Sequence, residues 1–264
     1  MDKDNISAKE LKMIRSYRII DDLFMNLFFD DDNEVTEFVL RIILDMPKLK
    51  VTSTKVQKVI ENPNGRSVKL DIHAEDTDGV RYDIEMQRDS EDANPRRARY
   101  YSSLMDTKML EPGQNIRELK DTYVIFITEE DVVKEGKAIY KYETVNVENY
   151  KHFNDGRHII YVNASFKDDE SALGKLAHDL LCQSPDEMNY KALADKARYL
   201  KEDKEGIMKS KSVIEEIRVE AEKNKDIEYA LKLINRGMGS YEEIADITGL
   251  AIEKVMELAR DKAV

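Results

Sequence analysis

The chain has 264 residues, of which 41% are hydrophobic and 36% charged, and a formal net charge of −12; this suits one sizeable α/β domain with long solvated helices beside it. The acidic balance argues against a general nucleic-acid binder but leaves room for carboxylates that hold a metal. The one cysteine, Cys182, excludes an internal disulfide and a cysteine-built zinc site, and no stretch has the apolar length of a membrane span or, in Met1–Lys12, of a signal peptide; a cytoplasmic setting is expected.

Residues 7–46 read as two helices. Ile19, Ile20, Leu23, Phe24, Leu27 and Phe28 recur at helical spacing, as do Phe38, Val39, Ile42 and Ile43. The tract Asp30-Asp31-Asp32-Asn33 separates them, Asp32 or Asn33 caps the second, and Pro47 ends it. Val51 to Ile60 reads as a strand, closed by the turn signal Asn62-Pro63-Asn64-Gly65. Segments 66–75 and 80–88 alternate around Asp76-Thr77-Asp78-Gly79 and form the clearest hairpin. Pro95 opens a helix to about Leu110, ended by Pro112-Gly113. The apolar run Thr122 to Thr128 is typical of a buried strand, and further strands are expected near 139–147 and 157–163. From Ser171 the pattern is helical. Ser210 to Val264 is a long charged helix and then a helix, Gly249 and a helix, the outline of a helix-turn-helix.

In the hairpin, the loop Thr77-Asp78-Gly79 places Gly79 where a left-handed backbone is needed and sets Asp76 against Val80. His73 then faces Asp83, Asp71 faces Glu85, and Lys69 faces Gln87. Strand alternation puts Val68, Leu70, Ile72 and Ala74 with Val80, Tyr82, Ile84 and Met86 on one apolar face. Lys69, Asp71, His73 and Glu75 share the other with Arg81, Asp83, Glu85 and Gln87. A polar face of this kind is ordinarily a solvated sheet surface. Yet two carboxylates whose Cβ atoms are about 5 Å apart repel unless a cation lies between them. A hard Mg²⁺ or Mn²⁺ ion suits such oxygen ligands, with the Met86 backbone carbonyl as a third, and supports phosphodiester hydrolysis.

The segment Val68-Lys69-Leu70-Asp71-Ile72-His73-Ala74, the Asp78-Gly79 turn and Tyr82-Asp83-Ile84-Glu85-Met86-Gln87 resemble the PD-(D/E)XK nuclease family transposases, also called the recombination-promoting nuclease or putative transposase family. The resemblance extends to Asp21-x-x-Phe24-x-x-x-Phe28, to Arg97 with Tyr100 and Tyr101, to Leu110-Glu111-Pro112-Gly113 and to the strand 123–127; it covers residues 17–130 well and the rest loosely. It implies a restriction-endonuclease-like α/β fold, a mixed sheet flanked by helices with a helical C-terminal extension. It implies a nuclease core over 1–165, a helical segment over 166–209 packed on it, and a charged helix with the helix-turn-helix-like unit over 210–264.

It also implies a Mg²⁺- or Mn²⁺-dependent DNA endonuclease linked to recombination or transposition. Asp71 and Glu85 take the place of the metal-binding acids, joined by the Met86 carbonyl and by Asp21 from the first core helix, with Asp22 beside it. Gln87 stands where the family's superfamily has its catalytic lysine, and a glutamine supplies neither positive charge nor a general base. Lys69 is a candidate replacement, with a plain surface lysine as the equal alternative. Arg96, Arg97, Arg99 and Lys108 form a basic cluster in which Arg97 and Tyr101 share a helix face; it reads either as a DNA phosphate contact or as a solvated helix surface. His73 is a further metal ligand or proton donor, or an exposed residue. His152, His158 and His178 lack ligand spacing, and Cys182 reads as core. The acids Glu242, Glu243, Asp246, Glu253 and Glu257 argue against groove binding by the C-terminal unit, so homo-oligomerisation through the C-terminal helices is as good an expectation as DNA contact. A nuclease fold that binds DNA or protein without cleavage, and a small-molecule or RNA phosphodiesterase, remain the alternatives.

Overall fold

A computed structural model describes residues 6–63, 65–88 and 90–260. Three helices, not two, precede the sheet: α1 (Ala8–Ser16), α2 (Asp22–Phe29) and α3 (Asn33–Leu44). Ser7 and Glu10 form a capping box that starts α1. Extended backbone at Tyr17 ends it, and the Asp21 carboxylate takes the Arg18 N–H at 2.8 Å, turning the chain before α2. This local polar turn is invisible to hydrophobic periodicity, which is why the break was not expected. Asp32 caps α3 by accepting the Val35 N–H, and Asp45, left-handed at φ 57°, ends it before Pro47.

Six strands follow: β1 (Val51–Ile60), β2 (Val68–Asp76), β3 (Arg81–Gln87), β4 (Thr122–Thr128), β5 (Ile139–Tyr142) and β6 (Arg157–Asn163). They form one sheet in the order β1-β2-β3-β4-β6-β5. β1, β2 and β3 pair antiparallel, β3, β4 and β6 parallel, and β5 antiparallel to β6. The result is the mixed sheet flanked by helices that was expected. β4 is buried at every position, as a central strand covered on both faces must be. The strand expected over 139–147 stops at Tyr142, leaving only an isolated bridge between Val145 and His152. Of the turn expected at 62–65, Asn64 lies outside the described residues.

A parallel step from β3 to β4 needs a crossover. It is made by α4 (Pro95–Asp106), which Asn94 caps and which ends four residues earlier than Leu110. Ala98, Tyr101, Leu104 and Met105 of α4 pack against Val124, Phe126 and Tyr161. Val68 and Leu70 belong to the same cluster. Register sets Asp83 beside Val124 and Glu85 beside Phe126, so Leu70 shares the α4 side with them. The single apolar stripe expected from Val68 to Ala74 therefore does not run unbroken past Asp71. On β1 and β2, α2 and α3 supply further packing.

The chain divides into two compact units, Met1–Ser210 and Lys211–Val264. The first also contains α5 (Ala172–Leu181) and α6 (Lys191–Glu202), and α7 (Lys204–Arg236) runs across the division. In the second, α8 (Tyr241–Thr248) and α9 (Ile252–Arg260) flank Gly249, left-handed at φ 70°, and bury Ile244 and Val255 against Ala230 and Leu233. Among the described residues, no helix is long and apolar enough to cross a membrane.

Candidate active site

The β2–β3 hairpin has the register its turn chemistry dictates. Glu75 pairs with Arg81, Ala74 with Tyr82, His73 with Asp83 and Ile72 with Ile84, and Gly79 is left-handed at φ 79°. Beyond Ile72 and Ile84 the ladder stops. The Asp71 N–H donates to Glu85 Oε1 at 3.0 Å, and the Met86 N–H donates to Asp71 Oδ2 at 3.2 Å. Each strand thus gives a backbone donor to the other strand's carboxylate. This exchange holds the two acids together where the strands part, in place of ladder bonds. A residue's N–H and C=O point toward the same neighbour in an extended strand, so the Met86 carbonyl also faces this opening.

Glu85 is fully buried and its second oxygen is occupied as well. Arg97 Nη2 donates to Oε2 at 2.6 Å and Gln87 Nε2 donates to it at 3.3 Å. Arg97 Nε donates to the Tyr101 hydroxyl at 2.8 Å, and Nη1 reaches the Asp92 carbonyl at 3.3 Å. The Arg97–Tyr101 pair thus follows from helical spacing, but its guanidinium turns inward to Glu85. Arg96, Arg99 and Lys108 stand exposed.

Burial, and after it the Glu85 charge, pushes the Asp71 carboxyl up from 3.8 to about 8. Burial also raises Glu85, opposed by the Asp71 amide and Arg97. Asp83 rises well above the ordinary range, through complete burial and then the charges of Glu85 and Asp71. Three acids thus crowd a volume with one guanidinium, and their mutual repulsion favours either protons or an added cation.

Other expected residues are placed differently. Lys69 is exposed and pairs with Val59 of β1, whereas Gln87 is buried and pairs with Thr128 of β4. Their expected cross-strand meeting fails because the β2–β3 ladder ends at Ile72 and Ile84. Asp21 is held by Arg18 Nη2 at 2.9 Å, and Arg18 Nη1 reaches Glu129 at 2.6 Å. It is the neighbouring Asp22, raised chiefly by burial, whose charge acts on Asp71. His73 and Asp83 are buried, and among the described residues neither ring nitrogen of the one and neither oxygen of the other has a hydrogen-bond partner. Burial lowers His73 to about 3. The sequence did carry a sign of this burial. The unbroken apolar run of β4 requires a sheet covered on both faces, and β3 lies beside it.

Among the described residues, no group of three or more His, Cys, Asp or Glu side chains is arranged to hold a metal. Two carboxylates and a carbonyl remain as an all-oxygen donor set. That set fits Mg²⁺ or Mn²⁺, which commonly take one or two protein carboxylates and complete their shell with water and substrate phosphate.

A family model described as PD-(D/E)XK nuclease family transposase matches residues 18–234. No curated protein matches the chain, and no solved structure does.

Proposed function

We propose that this chain, which belongs to the PD-(D/E)XK nuclease family transposases, hydrolyses DNA phosphodiester bonds as a Mg²⁺- or Mn²⁺-dependent endonuclease in recombination or transposition. A nuclease or transposase type of function comes with the family. The observation that supports the finer reading is the exchange at the hairpin's open end, where Asp71 and Glu85 each hold the other strand's amide. Asp71, Glu85 and the Met86 carbonyl would hold the ion, with Asp22 or Asp21 as the further acid near α2. When bound, such an ion polarises the phosphodiester and lowers the pKa of a water.

The chain's own groups do the rest. Gln87 donates to Glu85 and fixes the carboxylate's orientation. It brings no charge, so Arg97 is the cation of the site, oriented by the Tyr101 hydroxyl. Lys69, exposed two residues before Asp71, reaches toward a phosphate or the attacking water. Arg96 and Arg99 on the outer side of α4 meet the DNA backbone. The occupation of Glu85 Oε2 by Arg97 favours a second reading, a nuclease fold that binds DNA without cutting. Exposed Val219 and Tyr229 on α7 support contact between copies through the C-terminal helices.

Supercoiled plasmid incubated with Mg²⁺ or Mn²⁺ tests the reading. The wild type should nick it, and Asp71→Asn or Glu85→Gln should lower the rate at least about 100-fold, the upper end of what losing a group that merely orients a metal ligand costs. Nicking that survives both substitutions would overturn it. A wild type that retards DNA in a gel but never nicks it would establish the binding module.

A further inference from the structure

Where the start of α4 meets β5 and β6 lies a cavity of about 500 Å³, within the size range of small-ligand sites. Its wall includes Asn94, Val132, Val133, Tyr142, Ile159 and Tyr161. Three observations tie it to the acids and to one kind of occupant. The segment Glu91 to Pro95 forms one side, and in that segment the Asp92 carbonyl accepts from the same Arg97 that holds Glu85. A continuous aromatic row leads from one to the other. The Arg97 guanidinium lies 5.9 Å from the Phe126 ring centroid, Phe126 stacks on Tyr161 at 5.4 Å, and Tyr142 meets Tyr161 edge-on at 5.8 Å. Finally, Tyr161 is buried, and its hydroxyl has no hydrogen-bond partner among the described residues. Tyr142, by contrast, is 46% exposed and offers a ring without a stacking partner on its outer side.

We propose that this cavity takes a nucleobase turned out of the DNA stack next to the phosphodiester that Asp71 and Glu85 address. A base is flat, aromatic and polar along its edge. Apolar side chains and the Tyr142 ring suit its faces, and the unpartnered Tyr161 hydroxyl, with the Asn94 amide N–H left over from its capping bond, suits its edge. Unstacking costs least where a nucleotide is already unpaired, so the chain selects DNA with an unpaired nucleotide over uninterrupted duplex. The inference rests on the nuclease reading above, since the cavity gains its meaning from its link to Glu85 through Arg97.

Binding of the full chain to three DNAs tests it, in a chelator and again with Ca²⁺: a perfect duplex, a duplex with one unpaired nucleotide, and the same with an abasic residue there. The unpaired base should strengthen binding roughly tenfold over the abasic residue, the size expected for one base stacked on an aromatic side chain. Tyr142→Ala should remove that preference and Tyr142→Phe should keep it. A 5-iodouracil at the unpaired position should crosslink on illumination to a peptide containing Tyr142. Equal binding of base and abasic DNA by the wild type, a preference unchanged in Tyr142→Ala, or crosslinks only elsewhere would overturn the cavity's role. No binding of any DNA would overturn the nuclease reading itself, which keeps the two failures apart.

Discussion

The two ends of the β2–β3 hairpin handle acids in opposite ways. At the turn, the Asp76 carboxylate is fully used: Oδ1 accepts from Asp78 and Val80 amides at 2.9 and 3.0 Å, and Oδ2 accepts from the Tyr82 hydroxyl at 2.7 Å. Every donor there is neutral and local, and the ladder continues beside it. At the open end, the Asp71 and Glu85 carboxylates replace ladder acceptors and leave repulsion that Arg97 offsets in part. The first arrangement stabilises a fold. The second spends stability on a charged constellation, as functional sites commonly do.

Arg97→Met should show the contrast most strongly. It leaves Glu85, fully buried, without its cation, and should cost about 3 kcal/mol, the lower end for breaking a buried ion pair. Denaturant unfolding measures it, and Glu85→Met in the same chain should recover most of the loss. If the single variant is as stable as the wild type, the open end is not strained in this way.

A separate effect, spread over a range of pH rather than read at one, should appear on titration. The folded Asp71 carboxyl titrates at about 8 against 3.8 in the unfolded chain, so the native state keeps a proton that the unfolded state has lost. This contribution to stability is whole below the unfolded value, falls as pH rises between the two, and is gone above the folded one. In a chelator, the wild-type denaturation midpoint should therefore drop more steeply across this window than that of Asp71→Asn. Identical slopes would show that Asp71 titrates normally.

At the turn end the expected losses are local. Tyr82→Phe removes the donor to Asp76 Oδ2 and should cost about 1–2 kcal/mol by thermal or denaturant unfolding. Gly79→Ala is the mildest change. A Cβ there would meet only the Lys120 side chain, at 3.6 Å, so the cost is that of holding φ at 79°, about 1 kcal/mol. Neither variant should alter nicking; a nuclease defect in Tyr82→Phe would mean that the two ends are coupled.

Much of this was legible in the chain itself. Val51 to Ile60, the β2–β3 register and β4 follow from alternation, a Gly at a left-handed turn and a short apolar run, all of which act over a few residues. The nearness of Asp71 and Glu85 was legible too, although amide–carboxylate bonds beyond the last ladder pair bring it about rather than direct cross-strand pairing. The meeting of Lys69 with Gln87 was misjudged because a register was extended past the point where side chains replace the ladder. The part of Asp22 ahead of Asp21, the burial of Asp83 and the Arg97–Glu85 contact were missed because each depends on a helix packed across the sheet, and no local pattern states which helix that is.

Sequence alone therefore determined the strands, the hairpin and the nearness of Asp71 to Glu85, because turn chemistry and side-chain alternation are short-range. Tertiary structure decided that the polar face is dry rather than solvated. Only the packing of α4 over β3 and β4 removes water from Asp83 and Glu85, and it is this loss of water that sets neighbouring carboxylates so strongly against each other's charge.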